Sequence, residues 1–579
     1  HNIQNFVLTI VSEVYGRSTA VVPISAIMAL WSAGKAMQSL TNGLNTIYHV
    51  KETRNWLMTR LYAVVYTFMF SVAIIASLLL LVLGNQIQAM ALKYIPFVGK
   101  IIGKVIGART ALVFAGLFLI FLILYKMLPN RKATFKSQVP GAVLIAWLIV
   151  GVGFLALAFS LNNLTEKRSD LHGIFSYADA GWGPLAGFIS GWGYWLSAWL
   201  GNVAFATMMM STIGYFYPAF LPGNTIPCII IASIVMWALT YLVIRGVESA
   251  AFLNAIVMVC KVAAIAVTLI FGIFLFNAGI FTADFWGNVY DNAVAAGQYG
   301  PDAAPLGGVG TQIFNCMIIM MWCFVGIEGA SVVSSRAARK TDVGKATLIG
   351  FICLMLIYVG ASVLPYGYMS STEVAALDYP ALVYVFSSMA PGWGGPFISI
   401  AIIISILGSW LSFTILPAET TSEMADYKLL PASWGKLNSH NAPSMSLLIV
   451  GACTQAFLIV LLFSADAYDF AFSMCTVAIV ITWAFAAAYQ AKWGVQNKNM
   501  VQAAIGFVAV AFQVIGVLFN GWSFLLLTCV GYIPGFFIYV KARKDYGNAI
   551  TMGEKVCMGV VSALGVLSLV LLAMGVISI

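Results

Sequence analysis

A carboxylate between two glycines lies inside a hydrophobic run that is long enough to cross a bilayer. The run extends from Thr311 to Val333, and Gly326, Glu328 and Gly329 interrupt it; a spanning helix needs about 20 apolar residues. A charge at mid-membrane costs about 2.5–3.5 kcal/mol on insertion scales, so it normally faces a cavity and marks a substrate or ion path. Because the glycines allow the helix to open, the pattern predicts a broken transport helix. The alternative is a glycine packing face with Glu328 near a helix end.

The composition assigns the chain to the polytopic membrane proteins. Of its 579 residues, 61% are hydrophobic and only 8% are charged, whereas a soluble protein carries about 25% charged residues. The net charge of +9 does not indicate a nucleic-acid partner, because the lysines and arginines lie mostly in short loops, where they set membrane topology. The lipid bilayer is therefore the expected surroundings of the chain.

The cysteines and histidines do not form a recognisable metal or disulfide pattern. The nine cysteines lie mostly in apolar segments without paired spacing, which is typical of small buried residues. The four histidines are far apart in sequence, so a metal centre is not expected. We expect no cofactor.

Hydropathy predicts about fifteen membrane-spanning segments, all of them helical. Three lie in the first quarter of the chain, near residues 19–38, 62–84 and 110–125. The others lie near residues 143–162, 185–213, 226–243, 250–277, 311–335, 343–366, 395–418, 444–463, 469–490, 501–519, 522–540 and 556–578.

The loops from residue 166 onward alternate in charge, which predicts their orientation. Every second loop carries lysine or arginine, beginning with Lys167 and ending with Lys555, whereas the intervening loops, such as 278–310 and 369–380, carry neither. Positive loops favour the cytoplasm, so we expect a multi-pass protein of the cytoplasmic (inner) membrane with this set of loops inside. The basic loop from Lys126 to Lys136 would then lie outside, against the charge rule. This conflict indicates two membrane proteins joined within one helix, by natural fusion, by rearrangement or by an error of sequence assembly.

The first quarter of the chain resembles the YihY/BrkB-type membrane proteins. The stretches that carry the resemblance are Leu30–Lys35, Asn42–Arg54, Leu128–Lys132 and Pro140–Ala142. It covers about residues 1–145 and lacks the first membrane segments of that family. We assign no catalytic residue from it, and interpret Trp31 and Lys35 as interface anchors.

Residues 146–579 resemble the amino acid–polyamine–organocation (APC) superfamily, most of all its basic amino acid antiporters. The matching stretches are Gly173–Pro184, Gly193–Asn202, 321–337, Gly408–Trp410 with Glu419, and Leu430–Pro431. The resemblance implies an all-α, LeuT-like fold of two inverted five-helix repeats, each starting with a broken helix, with substrate between the breaks. The stretch around Gly326 matches the second break. The first broken helix has no counterpart, because the span at 110–125 in its place has one glycine and no proline.

The resemblance also implies a substrate site. Trp322 would lie against the substrate side chain, Val325 would shape the pocket and Glu328 would be a proton-sensitive acid. Their spacing of three residues places them on one helix face about 120° wide. An indole face attracts a guanidinium or ammonium group by about 2 kcal/mol when desolvated. The alternative for Trp322 is an ordinary packing aromatic.

Three residues on other helices complete the implied site. Asn202 matches a position that hydrogen-bonds the substrate, and Trp410 matches a second aromatic wall of the pocket. Lys261 lies where some members of the family use a lysine in place of a sodium ion, so we expect a coupling role for it. The alternatives are interhelical contact for Asn202, an interface aromatic for Trp410 and pairing with helix-end carbonyls for Lys261.

The resemblance therefore predicts secondary active exchange of cationic amino acids, of the arginine/ornithine or the lysine type, across the cytoplasmic membrane. The alternative is a transport-incompetent chimera, because the first broken helix of the family is absent. An enzyme is not expected, since the sequence shows no nucleophile–base pair or metal cluster with suitable spacing. Neither the exact substrate nor the oligomeric state follows from the sequence.

Overall fold

The computed structural model describes most of the chain after residue 138. The described residues are 139–295, 306, 309–329, 340–463, 467–520 and 522–574, together with Lys35, Gln38, Ser39, Ala63, Val64 and Thr67. The chain divides into two compact units, His1–Lys132 with Asp291–Gly307 and Ala133–Tyr290 with Gly308–Ile579. In the first unit, the Thr67 hydroxyl donates to the Ala63 carbonyl at 2.6 Å, a contact within one helical turn.

The described residues from 139 onward are largely helical, and no strand occurs in the part of the chain that the structure describes. The first nine helices are α1 (Pro140–Lys167), α2 (Phe175–Trp182), α3 (Pro184–Ile213), α4 (Ile226–Arg245), α5 (Val247–Phe274), α6 (Ala278–Ala283), α7 (Asn288–Ala295), α8 (Val309–Cys323) and α9 (Lys340–Val363). The next nine are α10 (Ser371–Ala376), α11 (Ala381–Met389), α12 (Gly394–Asp426), α13 (Ala432–Gly435), α14 (Ser444–Val460), α15 (Ala467–Gln496), α16 (Met500–Asn520), α17 (Trp522–Asp545) and α18 (Met552–Ala573).

Eleven of the described helices are long and apolar enough to cross a membrane. They are α1, α3, α4, α5, α9, α12 and α14–α18, which confirms the predicted spans from 143–162 onward with one exception. The exception is the span at 311–335, where α8 covers the 15 residues Val309–Cys323, turns follow at 324–328, and residues 330–335 lie outside the described residues. The three spans predicted before residue 126 fall almost entirely outside the described residues.

The helix contacts follow a pattern of two repeats. Each helix of α1, α3 and α4 packs against its counterpart in the second repeat, α9, α12 and α14 respectively. The contact between α3 and α15 is mirrored by that between α12 and α5. Two interlocked inverted repeats give this pattern, so the structure agrees with the predicted fold for every helix after the first of each repeat.

The loops predicted to be cytoplasmic gather at one end of the bundle. The Arg168 guanidinium donates to the Tyr489 hydroxyl, and the Lys492 ammonium donates to the Gly181 carbonyl. Arg168 also holds Asp170 through two hydrogen bonds, of 2.9 and 2.7 Å, and this carboxylate raises the pKa of Arg168. These contacts tie the ends of α1, α2 and α15 together.

The loops predicted to be external meet at the opposite end. The Asn277 amide donates to the Gly367 carbonyl at 2.7 Å, and Gly141 donates to Phe285 at 3.0 Å. Asn224 Nδ2 donates to the Leu461 carbonyl at 3.2 Å. The alternation of the loops is therefore confirmed, and the charge rule assigns the lysine-rich end to the cytoplasm.

This orientation predicts the labelling of two matched alanine-to-cysteine variants. Ala376 on α10 and Ala549 between α17 and α18 are both exposed, at opposite ends of the bundle. In a variant without the nine native cysteines, a membrane-impermeant maleimide added to intact cells is expected to label A376C and not A549C. Equal labelling of both after membrane permeabilisation is the control, and the reverse pattern on intact cells would contradict the orientation.

Candidate functional site

The helix predicted to break does so where the sequence places its glycines. The α-helix α8 ends at Cys323, and residues 324–328 form successive turns. Gly326 has a φ of +107°, which is open to glycine but costs other residues about 1–3 kcal/mol. The turns are closed by hydrogen bonds to the third residue back: Phe324 to Met321, Val325 to Trp322, Ile327 to Phe324 and Gly329 to Gly326. The predicted break is confirmed.

A neighbouring helix supplies the partner that the end of α8 lacks. The last carbonyls of an α-helix have no intrahelical donor and need another one when buried. The Tyr358 hydroxyl of α9 donates to the Cys323 carbonyl at 2.7 Å. The break is thus fixed from outside as well as by its own turns.

Glu328 lies just past the break and is 1% exposed. Its carboxylate accepts hydrogen bonds from the Gly326 amide, at 3.2 and 3.3 Å, and from Trp483 Nε1 on α15, at 3.0 Å. Phe154 packs edge-on against the Trp483 ring, with centroids 5.1 Å apart. Because a buried carboxylate is costly unless it is hydrogen-bonded, Trp483 and the opened backbone together make this position tenable.

The predicted common helix face of Trp322, Val325 and Glu328 is wrong. Only Trp322 belongs to α8, and the turns after Cys323 redirect the other two side chains. Trp322 and Val325 pack in one cluster beside Cys475, whereas Glu328 turns towards Trp483. A periodicity of 3.6 residues applies only while the helix lasts.

Asn202 is connected to a proline of α12. Pro417 has no N–H, so the carbonyl of Phe413, four residues earlier, loses its helical donor. Asn202 Nδ2 donates to that carbonyl at 3.3 Å. Asn202 is 1% exposed, and its Oδ1 has no hydrogen-bond partner among the described residues. The amide nitrogen therefore donates within the protein, whereas the oxygen has no acceptor role among the described residues.

The aromatic residues of the predicted site lie together around the break. Trp410 is fully buried on α12, in a cluster that Trp322 joins at its edge. Phe205 contacts both Trp322 and Phe413, at centroid distances of 5.9 and 5.1 Å. A Cβ placed on Gly326 would lie 3.8 Å from the Phe413 ring. The structure thus brings Asn202, the two tryptophans and the break into one region.

Lys261 is not part of this region. It is half-buried on α5, and its neighbours Met258, Val259 and Val262 are 53%, 67% and 48% exposed. Its ammonium group makes no hydrogen bond or ion pair with the residues that the structure describes. The coupling role of Lys261 therefore stays a prediction.

Three side chains in this region were not predicted from the sequence. The buried Cys475 thiol on α15 lies in the cluster that Trp322 and Val325 join, and the Ser197 hydroxyl lies 3.3 Å from its sulfur. Trp483 is the third, as the partner of Glu328. The spacing of the cysteines did not indicate a role for Cys475, because it is a single thiol within an apolar span. Of the three, Ser197 could have been predicted, because it is a polar residue inside a span and lies five residues before Asn202.

Metal binding is not supported in the described ranges. No group of three or more His, Cys, Asp or Glu side chains there is arranged to hold a metal ion.

Two family models match parts of the chain. A family model described as "Amino acid permease" matches residues 108–551, and one described as "Virulence factor BrkB" matches residues 1–176. The two matches overlap between residues 108 and 176, and the predicted boundary between residues 145 and 146 falls inside this overlap.

Individual relatives align with this chain over most of their own length. An arginine/ornithine antiporter of Latilactobacillus sakei is 50% identical over 417 residues, which are 71% of this chain and 86% of that protein. An arginine/ornithine antiporter of Pseudomonas aeruginosa is 37% identical over 468 residues, 77% of this chain and 92% of that protein. An arginine/agmatine antiporter of Chlamydia caviae is 34% identical over 427 residues, which are 72% of this chain and 86% of that protein.

The pairing of Glu328 with Trp483 predicts a coupled loss of stability. Trp483→Phe removes one donor from a buried carboxylate, and hydrogen bonds to charged groups contribute about 1.5–3 kcal/mol. We therefore expect a clear fall in melting temperature in detergent for Trp483→Phe in the presence of Glu328. In a Glu328→Gln background the same change should have a smaller effect. Additive effects of the two substitutions would contradict the described contact.

Proposed function

The chain belongs to the amino acid permease family, and on that premise we propose that it exchanges cationic amino acids across the cytoplasmic membrane. Arginine, exchanged for ornithine or lysine, is the proposed substrate class. The observation that carries the proposal is the broken end of α8, where the carboxylate of Glu328 is buried and where Trp322 packs in one cluster with the buried Trp410. The named activities of the relatives support the same substrate class.

In this proposal the aromatic side chains select the cationic end of the substrate. The indole of Trp322 offers a π-face whose attraction for a desolvated guanidinium or ammonium is about 2 kcal/mol. Trp410 forms the second aromatic wall, and Val325 limits the size of the pocket. An apolar amino acid of similar length would lack the cation–π attraction, which gives the site its preference for positive charge.

The polar groups orient the rest of the substrate. Asn202 Oδ1 is buried without a protein partner among the described residues, so it can accept a hydrogen bond from a substrate N–H. The backbone of residues 324–328 is opened by Gly326 and presents groups that a continuous helix would use internally. Binding at these groups would favour an amino acid over a simple amine.

Glu328 and Lys261 are the proposed coupling residues. A carboxylate accepts the Trp483 and Gly326 hydrogen bonds better when it is charged. Its protonation would therefore weaken the contact between α8 and α15, which links proton occupancy to the conformation of the break. Lys261 on α5 would take the place of a sodium ion and exchange a proton during the cycle.

Exchange in proteoliposomes tests the proposal. Vesicles loaded with unlabelled ornithine are expected to take up external labelled arginine, and empty vesicles are not. Trp322→Leu should lower this exchange by about 30-fold, the rate equivalent of about 2 kcal/mol. Trp393→Leu is the matched control, because Trp393 is 47% exposed at the external end.

The opposite result has a definite meaning. A folded, reconstituted chain that exchanges no cationic amino acid would contradict the proposal and favour the transport-incompetent alternative. Equal exchange by Trp322→Leu and Trp393→Leu would leave antiport intact but exclude Trp322 from the binding surface.

A further inference from the structure

Gln513 on α16 is a fully buried amide that the proposed site does not use. It is 0% exposed, and neither its Oε1 nor its Nε2 has a hydrogen-bond partner among the described residues. Burial of an amide without compensating hydrogen bonds costs about 1–3 kcal/mol on the scale of protein mutations. Such a group normally has a partner, so a completely unpaired one requires an explanation.

Another buried glutamine in the same helix pair shows the usual arrangement. Gln490 on α15 is also 0% exposed. Its Oε1 accepts from Asn163 Nδ2 at 2.9 Å, and its Nε2 donates to Gln502 Oε1 at 2.7 Å. The complete lack of partners at Gln513 therefore contrasts with the full pairing of Gln490 in the same helix pair.

The register between α15 and α16 places Gln513 level with Trp483. A Cβ on Gly494 would touch the backbone of Ala503, and a Cβ on Gly506 would touch that of Ala491. These contacts show that α15 and α16 run antiparallel and that the numbers of two facing residues sum to about 997. Position 513 on α16 therefore lies opposite residue 484 of α15 or its neighbours. Gln513 follows Gly506 by seven residues, which returns it to nearly the same face, about 20° away.

The same region of α16 also contacts the end of α8. A Cβ on Gly516 would lie 2.6 Å from Met321 Sδ, two residues before α8 ends. Phe512 packs on Phe154, with centroids 5.6 Å apart, and Phe154 packs on Trp483, the donor to Glu328. Gln513 thus lies in the wall that supports both the break and the carboxylate.

We propose that Gln513 is a positioning residue of the exchange cycle, whose amide pairs with the backbone of residues 324–328 in a second conformation. The inference rests on the proposed function, since exchange requires at least two conformations. A glutamine amide can both donate and accept, so it can serve either kind of backbone group that the turns release when they rearrange. Its unpaired state here raises the free energy of this conformation and brings the two conformations closer in energy.

The test compares Gln513→Met with Gln490→Met, because methionine is unbranched and of similar size. Gln490→Met breaks a complete hydrogen-bond network and is expected to lower the melting temperature in detergent. Gln513→Met removes an unpaired amide, so the melting temperature should stay the same or rise. Its rate of arginine–ornithine exchange should nevertheless fall about tenfold, the equivalent of one hydrogen bond in the second conformation, with equilibrium arginine binding retained.

Two outcomes would overturn the inference. A melting temperature lowered as much by Gln513→Met as by Gln490→Met would show that the amide is already paired in this conformation. Exchange at the wild-type rate by Gln513→Met would show that no step needs the amide. Failure of the proposed function is distinguishable from both, because wild-type protein would then show no exchange at all.

Discussion

A carboxylate buried among apolar helices is the constraint on which the rest of this structure depends. Glu328 is almost fully enclosed, and it needs donors that an uninterrupted hydrophobic span cannot offer. The backbone supplies one by turning back at Gly326, and α15 supplies another through Trp483. The end of α8, the placement of α15 and the packing of Phe154 against Trp483 all meet this requirement.

Two helices, α8 and α12, each have a carbonyl near the site that lacks its helical donor. In each case a side chain of another helix donates the missing hydrogen bond. The regular helix α8 ends at Cys323, three residues before Gly326, and Tyr358 donates to the Cys323 carbonyl. Pro417 removes a donor from α12, and Asn202 replaces it. Side chains that replace lost backbone bonds hold helices in a fixed relation, because each bond joins two elements instead of one. The region therefore combines polar backbone at the proposed substrate site with a well-defined arrangement of α3, α9 and α12.

The sequence predicted the features that depend on local chemistry. Hydropathy located the spans after residue 143 because each must be apolar over about 20 residues, and loop charge predicted which ends lie together. The break was predictable because glycine tolerates a positive φ. The side chains that hydrogen-bond residues of the break were not predictable, because Glu328 and Trp483 are 155 residues apart in the sequence. The direction of Val325 and Glu328 was also unpredictable, since the helical period ends at Cys323.

The central claim is that the non-helical turn at Gly326 creates the binding site. Gly326 and Gly329 offer a matched comparison, because only Gly326 has a positive φ, while a Cβ at either position meets a neighbour at ordinary contact distance, 3.8 and 3.7 Å. The most direct measurement is equilibrium binding of labelled arginine to purified Gly326→Ala and Gly329→Ala protein. We expect Gly326→Ala to weaken binding at least about tenfold through backbone strain of about 1–3 kcal/mol, and Gly329→Ala to bind almost as wild type does. Equal affinities for the two variants would contradict the claim.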